Sequence, residues 1–243
     1  MGKKNSSLTR IQPLFDYLGM DINKINKFLS LFEIKTEIKA SLFVCKYGYD
    51  EASIKPCKEL LIWCVNNIDK LNKKEFEALK NETSESAQKR YALFCNNTEI
   101  KKEALNELYK DNIPQRAWFI FEGYTHPDVY METDDSIYIG EAKRTENELT
   151  NHTKWLEDRD QLIKHVDSVI DRGKKIYSFF IIENPENYDF NKYFETEIYD
   201  KSLPHRNQEI RDKIKNTYIG YTTFSKINEI FNNEIKYRDT TDD

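Results

Sequence analysis

Asp128 follows a proline, and Glu141 stands two residues before Lys143 in the stretch "HPDVYMETDDSIYIGEAKRTE". The runs "PDVYMET" and "SIYIGEAK" are short, β-branched and aromatic, which predicts two strands joined through Asp134-Asp135. A turn centred on that pair makes Thr133 face Ser136, Tyr130 face Ile139 and Asp128 face Glu141. A four-residue loop gives the same pairing, whereas a three-residue loop would shift the register. Residues directly opposite on such strands have Cβ atoms about 4.5–5.5 Å apart, and Lys143 shares the face of Glu141. Two opposed carboxylates repel unless positive charge lies between them. A hard divalent cation suits oxygen ligands, and Mg2+ takes one or two carboxylates and keeps several waters. One of those waters can serve as a nucleophile, and a lysine beside it orients it or neutralises charge on a phosphate oxygen. Asp128 and Glu141 as metal ligands, with Lys143 beside them, thus make a candidate centre for Mg2+-dependent phosphodiester hydrolysis, with Mn2+ as the expected substitute. The plainer alternative is a salt-bridged hairpin facing solvent.

The elements that must position these residues change in texture along the chain. Up to about Asp111 apolar residues recur at three- and four-residue intervals, as in "INKFLSLF", "CKELLIWCVNNI" and "TEIKKEALNELYK", which predicts helices. Asn97 or Thr98 offers an N-cap for the last of these. From Ile113 the runs are β-like: "RAWFIFEGY", the two hairpin strands, and later "KKIYSFFIIE". Between the third and fourth of these lies a long amphipathic helix, expected from a cap near Asn151 to Gly173, with Trp155, Leu162, Val166 and Val169 on one face. "RNQEIRDKIK" predicts a further helix and "TYIGYTTF" a further strand. Gly140 interrupts the strand just before Glu141, where a glycine predicts close approach of a ligand or of backbone.

Bulk composition narrows the function classes. The chain has 243 residues, 39% of them hydrophobic and 13% aromatic, enough for a normal core. A net charge of −5 supplies no general attraction to nucleic acid, so any such binding needs a local basic patch or a metal. Cys45, Cys57, Cys64 and Cys95 form no CxxC pair and sit in apolar contexts, expected as reduced core thiols of a cytoplasmic protein. No apolar run is long enough to span a membrane. Phosphate-loop, dinucleotide and serine-hydrolase signatures are missing.

Pro127-Asp128 followed by Glu141-Ala142-Lys143 resembles the PD-(D/E)xK nuclease superfamily, whose restriction-endonuclease-like core runs helix, three strands, helix, strand. The order read from Thr98 to Glu183 is similar. The resemblance covers roughly the middle third of the chain and implies an α/β fold, a mixed central sheet flanked by helices; with the helical pattern that precedes it, the expected division is a helical N-terminal region at residues 1–97 and a nuclease-like domain at 98–243. It implies Asp128 and Glu141 as metal ligands and Lys143 as the catalytic lysine. Many members add an acid from the helix before the first strand. Glu107 borders the buried face of that helix more closely than Glu103 and is the choice here. Some members add an amide or lysine from the helix after the third strand, for which Gln161 is the candidate. Asp158 and His165 lie on its side, and His165 and His126 read as ordinary polar residues. Arg206, Arg211, Lys213 and Lys215 are the candidate phosphate contacts. The expected activity is a DNA endonuclease of restriction or defence type, DNA favoured over RNA, working as a homodimer if it cuts both strands. A catalytically silent nucleic-acid-binding or scaffolding protein of the same fold is the alternative.

Overall fold

Strands β1 (Val44–Tyr47), β2 (Val129–Glu132), β3 (Ser136–Lys143), β4 (Lys175–Ile182) and β5 (Tyr218–Thr223) lie side by side in chain order. Neighbours from β1 to β3 run antiparallel, and those from β3 to β5 run parallel. Ten α-helices among the described residues accompany them in the computed structural model, which describes residues 5–39, 44–110, 112–146, 149, 153–190 and 195–241. These are α1 (Gln12–Leu18), α2 (Ile22–Leu29), α3 (Lys58–Asn66), α4 (Lys73–Ala78), α5 (Glu85–Phe94), α6 (Thr98–Leu108), α7 (Gln161–Asp167), α8 (Thr196–Ser202), α9 (Gln208–Lys215) and α10 (Phe224–Ile230). The class is α/β, as expected, with a mixed five-stranded sheet.

β3 is buried along its whole length, and its side chains divide between two cores. Tyr138 and Ala142 join Met131, Phe179 and Ile181 under α1, α2 and α10, through Leu14, Phe15, Phe28 and Ile227. Phe28, Phe32 and Phe179 meet there with ring centroids 4.6 to 5.9 Å apart, in tilted and edge-to-face pairs. Ile137 and Ile139 join Tyr130, Phe180 and Ile182 on the opposite face, under Leu162, Ile163 and Val166 of α7. Covering both faces is what permits the parallel half of the sheet. A third apolar cluster lies among α3 to α6 and takes in Phe119, Phe121 and Trp155.

Several sequence expectations are corrected here. The strand beside β2 is Val44–Tyr47, whereas "RAWFIFEGY" contains no strand. Its Phe119 and Phe121 are buried in the helical cluster, so β propensity yielded to packing. The boundary at residue 97 cuts through one core, because α1, α2 and β1 pack on or within the same sheet as β2 to β5. The helical part with its own core is α3 to α6, placed between two adjacent strands. The long helix expected from Asn151 starts at Gln161: Asp160 caps it through Oδ1, which accepts from the Ile163 amide at 2.8 Å. Asn151 itself lies outside the described residues, and Trp155 belongs to the helical cluster. Gly140 serves packing rather than a ligand. A Cβ there would stand 2.4 Å from the Phe179 ring and 3.1 Å from Val129.

Candidate active site

The hairpin has the expected register. Val129 faces Gly140 and Tyr130 faces Ile139, so the next pair outward is Asp128 and Glu141. Both belong to the sheet face that α7 covers, since Tyr130 and Ile139 do. Asp128 is half-buried, and its Oδ2 accepts a 2.8 Å hydrogen bond from the Ala142 amide. Burial and then the negative charge of Glu141 hold its carboxyl well above the ordinary carboxylate range, with a further push from Glu51.

Glu141 and Lys143 are almost fully buried. Lys143 Nζ donates to Glu141 Oε1 at 3.1 Å and to Gln161 Oε1 at 3.2 Å. The other Glu141 oxygen, Oε2, lies 3.1 Å from His165 Nε2, and His165 Nδ1 lies 2.6 Å from Thr125 Oγ1. Burial alone would raise the Glu141 carboxyl, but the Lys143 charge and the His165 contact outweigh it and pull it below the ordinary value. Burial would likewise lower the Lys143 ammonium, yet Glu141, Asp128 and Glu146 hold it above its ordinary value. Lys143 is therefore a standing cation at neutral pH, suited to meeting negative charge rather than to taking up a proton. Gln161, the first residue of α7, reaches the cluster as expected, one turn before His165.

Glu107 does not reach this cluster. It pairs with Lys110 at the surface of α6, and Glu103 pairs with Lys89. The N-terminal acid that Asp128 senses is Glu51. After Tyr47 faces Val129, the next pairing along the edge is Ile54 with Thr125, at 2.9 and 2.8 Å. Gly48 to Ser53 therefore bulge outward opposite His126 to Asp128, and Glu51 sits in that bulge with Oε1 accepting from Ser7 Oγ at 2.6 Å. Neither Glu51 nor His165 was marked as functional by sequence. The i, i+4 spacing of Gln161 and His165 is the signal the sequence carries for the second of them.

The candidate phosphate contacts fare less well. Arg206 is half-buried and donates to Asp167 Oδ1 at 2.7 Å and to Asp171 at 2.8 Å. Arg211 donates to Asp200 and to the Leu203 carbonyl. Both guanidiniums thus tie their own fold together. Lys213 is exposed on α9, and Lys215 stands 5.9 Å from the Tyr199 ring.

Among the described residues the three possible metal ligands that gather within 4.8 Å of one another are Cys57, Asp167 and His205. Asp167 Oδ2 accepts from Arg159 Nη2 at 2.7 Å and lies 3.0 Å from His205 Nε2. Arg159 also forms a two-bond pair with buried Glu122. The charge of Arg159, outweighing burial, drives the Asp167 carboxyl far below its ordinary value, while burial pushes the Cys57 thiol up to about 12. With two guanidiniums on Asp167 and a neutral thiol, the trio lacks the donor character a cation needs. It locks the end of α7 to the loop before α9. Of the four cysteines, all free, Cys64 is buried, Cys45 and Cys57 are half-buried and Cys95 is exposed, so Cys95 departs from the core-thiol expectation. Comparison of the chain with protein-family models, with curated proteins and with solved structures returned no match.

Proposed function

We propose that this chain is a divalent-metal-dependent phosphodiesterase, a nuclease of the PD-(D/E)xK kind acting on DNA. One observation carries the reading: Asp128, just before β2, and Glu141 in β3 face each other on one side of the sheet, with the charged Lys143 bonded between Glu141 and Gln161. The donors fit a hard divalent ion. Both offer carboxylate oxygens, and Asp128 is held protonated more readily than an ordinary aspartate by burial and negative neighbours, a strain that a cation between the acids relieves. Asp128 and Glu141 would hold Mg2+ or Mn2+, with Glu51 as the nearest additional acid. When bound, the ion supplies an activated water and Lewis-acid charge.

The chain's own residues account for the remaining roles. Lys143, a permanent ammonium, neutralises charge that builds on a phosphate oxygen. Gln161 positions that ammonium by accepting a hydrogen bond from it. His165 fixes the orientation of Glu141 from α7 and is itself fixed by Thr125. The short β2–β3 hairpin and the covering helix keep the three groups rigid, as catalysis by positioned charge demands.

The test is incubation of purified protein with plasmid, linear duplex, single-stranded DNA and RNA, with Mg2+, with Mn2+ and with chelator. Asp128→Ala should lose metal affinity and cleavage together. Lys143→Ala should lose cleavage by a factor on the order of 10²–10³ while still binding Mn2+ by calorimetry. A silent scaffold would bind without cleaving under every condition, and full activity in Lys143→Ala would remove the lysine from the chemistry.

A further inference from the structure

Three cavities ring the segment from Ile113 to His126 and share walls. The first, about 270 Å³, borders the candidate site through Gln161 and His165, which form its wall together with Tyr124 and Lys164. The second, about 540 Å³, shares Lys164 with the first and adds Arg116 and Lys154. The third, about 250 Å³, shares Tyr124 with the first and brings in Lys55, Lys58 and Lys110.

The charge on these walls is one-sided in a chain whose net charge is negative. Their carboxylate among the described residues is Glu122, and it is buried in its pair with Arg159. Lys110 and Lys154 have acidic partners, Glu107 and Glu75. Lys55, Lys58, Arg116 and Lys164 have no carboxylate in salt-bridge contact among the described residues, and Lys58 has only the Tyr109 ring, at 5.9 Å. Burial lowers the Lys164 ammonium, so a phosphate beside it would restore what water does not supply. The larger cavity elsewhere, about 610 Å³, mixes its lysines with Glu157 and Asp158 and has no such polarity.

We propose that this track is the path of a polynucleotide strand to the Asp128–Glu141–Lys143 cluster. Lys55, Lys58, Arg116 and Lys164 meet its phosphates, and Tyr124, standing between two cavities, meets a base. Unpaired cations interleaved with an aromatic are what a strand-binding groove requires. What happens at the end of the track rests on the nuclease reading; the track itself does not.

The experiment uses the triple variant Lys55→Ala, Lys58→Ala, Arg116→Ala, none of which lies in the catalytic cluster or in a buried core. Anisotropy with fluorescein-labelled single-stranded and duplex deoxyoligonucleotides, in chelator and over a salt series, reads the number of phosphate contacts. For the single strand the log–log salt slope should fall by about 2, at roughly 0.7 per lost contact, and affinity near 0.1 M salt by about a hundredfold. Lys213→Ala, Lys215→Ala on α9 should leave both unchanged. An unaltered slope in the triple variant, an equal effect from the α9 pair, or no binding by the unmodified protein overturns the proposal. Binding through the track without cleavage would sink the nuclease reading alone, and cleavage with unchanged binding by the triple variant would sink the track alone.

Discussion

Lys143→Met removes one charge from the middle of a buried cluster and keeps nearly the same volume. Lys143 Nζ stands 3.1 Å from Glu141 Oε1, with both side chains almost inaccessible. At an effective dielectric constant near 20, that separation corresponds to an attraction of about 5 kcal/mol. Breaking a buried pair by deleting one partner costs about 3–5 kcal/mol, because the remaining charge is left without compensation. Here Glu141 keeps its contact with His165, so the lower end, about 3 kcal/mol, is expected. For a chain of this size that loss lowers Tm by about 6–12 °C.

The pH dependence provides the sharper check. Glu141 is depressed in the fold, so its stabilisation is present above its unfolded pKa and is lost as pH falls through the folded one. Without Lys143, burial dominates and the carboxyl moves up, so the variant's Glu141 becomes neutral before pH reaches the ordinary range of about 4.3. The deficit should be largest near neutrality and should close towards acid. Calorimetric unfolding in chelator across that range measures it. A deficit that stays constant with pH, or a variant as stable as the parent near neutrality, would refute the ion-pair reasoning.

Four further outcomes follow from the same geometry. Asp128 is raised in the fold, so its protonated form is favoured there, and that contribution is lost as pH rises through the folded pKa. Asp128→Asn should therefore raise Tm in chelator at neutral pH, with the difference vanishing in acid. Glu51→Gln should weaken Mn2+ binding in calorimetry while Glu107→Gln leaves it unchanged, since of these two acids Glu51 acts on Asp128 and Glu107 pairs with Lys110. Asp167→Asn, which strips Arg159 and Arg206 of a shared buried partner, should cost about 3–5 kcal/mol in urea unfolding, most of it absent in strong acid because Asp167 is depressed. Gly140→Ala should cost about 1–3 kcal/mol by overpacking against Phe179, and a neutral result would show that the ring can step aside.

The hairpin and its three chemical residues were legible because everything that sets them is local. A turn at Asp134-Asp135 fixes the register, and alternation then assigns faces to Asp128, Glu141 and Lys143. β1 was hidden because it is a four-residue edge strand, half-buried and exposed at Val44, without the apolar alternation that marks a strand. "RAWFIFEGY" carried that signal more strongly and spent it in a helical core. Arg206 and Arg211 read as a basic face because their acids, Asp167, Asp171 and Asp200, lie far off in sequence or on another element. Glu51 and His165 were invisible as a pair for the same reason. What brings them to the cluster is the pairing of Ile54 with Thr125 and the docking of α7 on the sheet.

The placement of α3 to α6 between β1 and β2 has a kinetic consequence. β2 and β3 meet across a tight turn and can zip early, whereas Tyr47 must find Val129 over a separation of roughly 80 residues. Closing so long a loop delays that contact relative to local ones. β1 is also the strand whose continuation carries Glu51 to Asp128 and seats Thr125 beneath His165. The acid pair would thus assemble with the hairpin, and its accessory groups would arrive with the last strand to dock. Refolding followed by two probes, hairpin protection by hydrogen exchange and Mn2+ uptake, should show the second trailing the first.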